Sequence, residues 1–224
     1  MEAIIHKALN YWFTAKPVCL NWWYNQIGVP KTLGTAFILF EDQLTPVEKQ
    51  NAITVMENAK FGMTGQNKVW LAGNVMMRAL LQNDYELVKM ARDTIASEIV
   101  KGGAEGIKDD WCFHQHGAQQ QFGNYGLSFV SGMSFFSGLF SGTSLAFDDK
   151  QLSILSTLID KGYRWVIWKG MMDVNALGRQ LFHHAPVHKA LSLAFAASEL
   201  GGGESDECVA VATALLRDNY PAPA

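Results

Sequence analysis

The chain has 224 residues, 49% of them hydrophobic and 17% charged, which is enough apolar material for a well-packed core and argues against disorder. A net charge of −3 gives no global signal for nucleic acid, so an acidic ligand would have to be held by a few local cations. Cys19, Cys112 and Cys208 are odd in number, scattered and without a CxxC pair, so they define no disulfide framework.

Met1 leads into an amphipathic segment with no basic stretch followed by an apolar one, and no secretory signal peptide is visible. Residues 2–15 carry Ile4, Ile5, Ala8, Leu9, Trp12 and Phe13 along one helical face. Asn21, Trp22 and Trp23 read as a loop ahead of Pro30, which opens a helix to about Glu41. Thr45-Pro46-Val47-Glu48 combines a capping threonine, a first-turn proline and a glutamate at N3, and predicts a helix to about Lys60. From Asn67 the apolar set Val69, Ala72, Val75, Met76, Ala79 and Leu80 forms another face. Asn83-Asp84 end that helix and cap the next, which runs from Tyr85 to about Val100 and is closed by Gly102-Gly103. Residues 101–124 have no apolar period and read as a long loop, the kind of segment that carries function. Helical patterns resume at 125–140, 148–168, 186–200 and 205–217, with Trp70, Trp165 and Trp168 on apolar faces as core.

No segment shows strand alternation, no strict repeat is present, and no apolar run reaches the roughly 18 residues of a membrane span. The predicted class is all-α, an array of antiparallel helix pairs. Residues 1–217 read as one domain and 218–224 as a tail.

The chemistry concentrates in Asp109-Asp110-Trp111-Cys112-Phe113-His114-Gln115-His116-Gly117 and Gly123-Asn124-Tyr125-Gly126. His116 and Tyr125 stand nine residues apart, and such a pair can take a proton from carbon and hand one to a leaving oxygen. Asn67, at the mouth of a helix, and Arg179, in Asn175-Ala176-Leu177-Gly178-Arg179, are polar residues beside glycine-marked turns. Together they are what β-elimination from a uronic acid needs: an amide to neutralise the carboxylate, a base for the C5 proton, an acid for the glycosidic oxygen and a cation. A phenol must lose its proton to act as base, and a nearby arginine or histidine favours that. Plainer readings compete: Asn67 as a helix cap, Tyr125 as an aromatic opening a helix, Arg179 as a surface residue and the tryptophan pair as core. His114-x-His116 invites a zinc reading, but no third ligand of convincing spacing follows, so no metal and no cofactor is expected. His183, His184 and His188 form a helix-end cluster.

Asn21-Trp22-Trp23, Thr64-Gly65-Gln66-Asn67, Gln115-His116-Gly117, Gly123-Asn124-Tyr125-Gly126 and Gly178-Arg179 together resemble the family 8 polysaccharide lyases, among them chondroitin AC, hyaluronate and xanthan lyases. The resemblance implies part of an incomplete α/α toroid around an open cleft. It implies an acidic polysaccharide as substrate, with neither nucleic acid nor membrane as partner, and a secreted or periplasmic setting. It assigns Asn67, His116, Tyr125 and Arg179 to catalysis, and Asn21, Trp22, Trp23 and His183 to substrate binding, with Trp22 or Trp23 as a stacking platform. His183 stands where the family tends to place a second arginine. The family's large antiparallel β domains, and a glutamate they supply, have no counterpart in this chain. The alternative is a non-catalytic or degenerate carbohydrate-binding relative.

Overall fold

The computed structural model describes residues 2–201 and 206–219. Its helices are α1 (Glu2–Ala15), α2 (Val29–Leu39), α3 (Pro46–Met56), α4 (Gly65–Gln82), α5 (Tyr85–Ala96), α6 (Leu127–Phe140), α7 (Asp149–Thr157), α8 (Ala185–Gly201) and α9 (Asp206–Asn219). Three wide π turns accompany them, at Tyr24–Gly28, Phe122–Gly126 and Leu158–Gly162. The class is all-α, as the periodicity predicts. The chain forms two compact units: one holds residues 1–63 and 67–95, the other 64–66 and 96–224. Of the stretch read as a tail, 218 and 219 complete α9, and residues 220–224 lie outside the described residues.

In the first unit, Leu9, Phe13, Phe37, Ala52, Met56 and Leu81 make a buried cluster flanked by Ile5, Trp12, Leu33 and Met77. The Phe13 and Phe37 rings lie 5.9 Å apart. Thr45 and Glu48 form the predicted capping box: Glu48 N–H donates to Thr45 Oγ1 at 3.2 Å, and Thr45 N–H to Glu48 Oε2 at 3.0 Å. The same carboxylate receives His6 Nδ1 at 2.9 Å, tying α1 to the start of α3. α3 ends at Met56, short of Lys60, and Asn58 Nδ2 donates to the Val55 carbonyl at 3.1 Å just past that end.

One expectation fails here. Trp22 and Trp23 are not in a loop; they open the helical run that continues through the π turn at 24–28 into α2. A π turn departs from the i to i−4 ladder and leaves carbonyls to be met from outside. Asn74, buried on α4, does so by donating Nδ2 to the Ile27 carbonyl at 3.1 Å. That long-range partner is invisible in a local pattern.

In the second unit, residues 101–124 are not wholly irregular. β1 (Gly106–Ile107) pairs antiparallel with β2 (Phe113–His114), with Ile107 opposite Phe113 and both buried. Two residues per strand are too few for alternation to register. The 148–168 pattern also breaks. Asp148 caps α7 in a capping box with Gln151, but α7 ends at Thr157 and gives way to the π turn, a 3₁₀ turn at Tyr163–Val166 and β3 (Ile167–Trp168), which pairs with β4 (Met171–Met172). Tyr163 is fully buried and donates its hydroxyl to the Phe122 carbonyl at 3.1 Å. Trp165 and Trp168, read as core from an assumed helical face, are 82% and 75% exposed. Among the described residues no helix is long and apolar enough to cross a membrane.

Candidate active site

Tyr125 lies in the π turn that feeds α6, and two glycines make that turn possible. A Cβ on Gly123 would stand 2.6 Å from the Ala176 carbonyl oxygen and 2.8 Å from Leu177 Cα. On Gly126 it would meet the Tyr163 hydroxyl at 2.6 Å and Phe113 Cβ at 2.9 Å. The Gly126 N–H reaches back five residues to the Gln121 carbonyl at 2.8 Å. The two carbonyls that open the turn are each met by a distant buried side chain, Phe122 by the Tyr163 hydroxyl and Gly123 by Lys189 Nζ. Tyr125 is 6% exposed, and its ring meets that of His116 edge-on, at 4.9 Å and 87°. The second unit thus joins the two residues that the sequence read as an acid–base pair.

His116 is exposed and adopts φ +60°, followed by Gly117 at +75°. A left-handed histidine is uncommon and needs support from its surroundings. Glu105 provides it. Its carboxylate accepts the Gly117 N–H at 3.0 Å, the Thr64 hydroxyl at 2.6 Å and the Gln115 Nε2 amide. Gln115, itself buried, accepts the Gln66 N–H on Oε1 at 2.9 Å. Gly65 N–H donates to Glu98 at 2.7 Å, so side chains from the histidine loop and from the segment just after α5 hold residues 65 and 66, where α4 begins.

Burial pushes the Glu105 carboxyl up, but hydrogen bonds from Thr64 and the backbone of Gly117 and His116, with the nearby His116 ring, outweigh it and leave the group below its ordinary value of 4.5. A depressed carboxyl contributes stability that is present above the unfolded value and is lost as pH falls through the folded one. Acidification below that value is therefore expected to loosen residues 113–118 ahead of the helices, and Glu105→Gln to do so at neutral pH. Hydrogen–deuterium exchange of peptides across 113–118 measures both; unchanged exchange in the variant would remove Glu105 from this role.

The Arg179 segment lies beside the tyrosine turn. The Ala176 carbonyl and Leu177 press on Gly123, and a Cβ on Gly178 would be 3.7 Å from Asn124 Cβ. Arg179 and His183 are exposed, and the His183 ring centroid is 3.7 Å from that of His184. His183 and His184 precede α8 and His188 lies in its first turn, so the three gather at the start of that helix.

In the first unit, Asn67 is the third residue of α4 rather than its cap. It is 6% exposed, and its buried Oδ1 has no hydrogen-bond partner among the described residues. Asn21 is partly spent on the fold, since its Oδ1 accepts the Trp23 N–H at 3.0 Å and caps the helical run. Trp23 is half-buried, edge-on to Tyr24 at 5.4 Å and to Trp70 at 5.6 Å. Trp22 is 42% exposed and is the more available of the pair for stacking. Lys31 Nζ sits 5.5 Å from the Trp70 ring centroid, which places a cation on this aromatic group.

Sequence reasoning passed over Glu105 and Lys189. Nothing local marks Glu105. Lys189 did leave a trace: it lies four residues from both Ala185 and Leu193, on the buried face of α8, where a lysine is out of place.

A mainly helical scaffold with a histidine set against a buried tyrosine on a widened turn fits the helical domain of a polysaccharide lyase. Residues 1–198 match the N-terminal alpha-helical domain of polysaccharide lyase family 8, and the chain belongs to that family. It is 31% identical over 180 residues to chondroitinase-AC of Pedobacter heparinus, covering 78% of this chain and 26% of that protein. It is 26% identical over 177 residues to xanthan lyase of a Bacillus species, covering 77% and 19%. A solved structure of chondroitinase AC lyase, determined in oligosaccharide complexes, matches with a TM-score of 0.83 at 26% identity, covering 99% of this chain and 33% of that one. The chain spans about a quarter of the length of the chondroitinase-AC it matches.

Proposed function

We propose that this domain cleaves a uronic-acid-containing acidic polysaccharide, a glycosaminoglycan such as chondroitin or hyaluronan, by β-elimination. The observation that carries the reading is the edge-on pairing of His116 with the buried Tyr125, in a chain that belongs to a polysaccharide lyase family. The Tyr125 oxygen takes the C5 proton of the uronate and then protonates the glycosidic oxygen, while His116 helps neutralise and position the uronate carboxylate. Asn67 supplies an amide N–H to the uronate carboxylate, which carries more charge as the proton leaves. Arg179 supplies the cation, and Trp22, with Trp23, Asn21 and His183, holds the sugar. Export to a compartment where such polymers occur is part of the same proposal.

The test is to incubate the chain with hyaluronan, chondroitin, xanthan and alginate and follow the ultraviolet absorbance of an unsaturated uronate. A rise with one or more polymers is the expected result and narrows the substrate. Retention of the chain on a polysaccharide with no rise on any of the four would instead identify a carbohydrate-binding relative without turnover.

A further inference from the structure

We propose that Lys189 is a positioning residue that locks the turn bearing Tyr125 to the segment bearing Arg179. This rests on the lyase reading above for its consequence, but on the geometry of the second unit for its cause. Lys189 is 6% exposed on the apolar face of α8. Its ammonium donates to the Gly123 carbonyl, two residues before Tyr125, and to Gln180 Oε1 at 2.5 Å, the residue after Arg179. The Phe182 ring centroid lies 6.0 Å from the same nitrogen. No carboxylate pairs with it among the described residues.

A buried ammonium without a counter-ion is an expensive way to fill a helix face, and a methionine of similar length would fill it at less cost. Burial alone lowers the affinity of this amine for its proton. What the charge provides is two directed bonds to two separate segments. Gly123 O belongs to the widened turn, and that segment is also held by contact between Gly123 and the Ala176–Leu177 backbone. Gln180 is an exposed residue whose amide oxygen would otherwise face solvent. Lys189 therefore acts on the two candidate catalytic residues through their neighbours, fixing their relative placement without touching the reacting atoms.

The test compares Lys189→Met, Lys189→Arg and Gln180→Leu with the parent chain. Loss of the lock is expected to lower kcat about 100-fold in Lys189→Met with little change in KM, since a displacement of about 1 Å costs that much. Lys189→Arg is expected to recover much of the loss because it restores directed donors. Independently of turnover, hydrogen–deuterium exchange should rise in peptides covering 121–126 and 176–182 and stay constant along 129–138 of α6. Should Lys189→Met fail to fold, Gln180→Leu carries the test, with the exchange increase confined to 176–182 and a smaller fall in kcat. Unchanged kcat and unchanged exchange in a folded variant would overturn the proposal. Absence of elimination product from the parent chain on every polymer would sink the lyase reading instead, and the exchange data would then decide the lock alone.

Discussion

Tyr125→Phe is expected to lower kcat by about 10³-fold while leaving polysaccharide binding nearly unchanged, in line with the ~10²–10⁴ that a positioned acid–base group contributes. The substitution removes one oxygen. The ring keeps its 6% exposure and its edge contact with His116, so the π turn and the entry to α6 retain their apolar packing. On the proposed mechanism the hydroxyl acts in the transition state, so the loss is expected to fall on turnover more than on the ground-state complex. Steady-state kinetics with the polymer found active, alongside a binding isotherm, separates the two. Activity within a few-fold of the parent would move the base role to His116.

Asn67→Ala is expected to lower kcat/KM by about 10²–10³-fold, or about 3–4 kcal/mol, the cost of removing one donor aimed at developing charge. The effect on folding should be small by comparison. Asn67 Oδ1 bonds to nothing among the described residues, so its removal orphans no protein group there, and alanine favours the helix interior. A thermal melt within a few degrees of the parent, together with the kinetic loss, is the expected pair of results. A large drop in melting temperature with unchanged kinetics would mark Asn67 as a packing residue only.

The two variants test different halves of the same chemistry. On the proposed mechanism, one removes the group that moves the proton and the other removes the group that makes the proton removable. Lys189→Met and Glu105→Gln differ from both, because Lys189 and Glu105 bond to the neighbours of the site residues and not to the substrate.

What the sequence by itself determined was local. The apolar period marked most helices, and Thr45 with Glu48 announced its capping box because both partners lie within one turn. His116 and Tyr125 were legible because polar residues beside glycines stood out in a stretch without apolar period. The tertiary structure decided whatever depends on partners far along the chain. The π turns at 24–28 and 122–126 have carbonyls met by Asn74, Tyr163 and Lys189, which lie 41 to 66 residues away. Burial of Tyr163 accompanies the end of the helical pattern before residue 168 and leaves Trp165 and Trp168 exposed. Glu105 gathers Thr64 from one end of α4 and Gln115 and Gly117 from the histidine loop to support a left-handed histidine. A hydrogen bond between residues in sequence contact has a fixed spacing that a pattern can reveal; one closed by the fold has none, because its energy depends on where two surfaces meet.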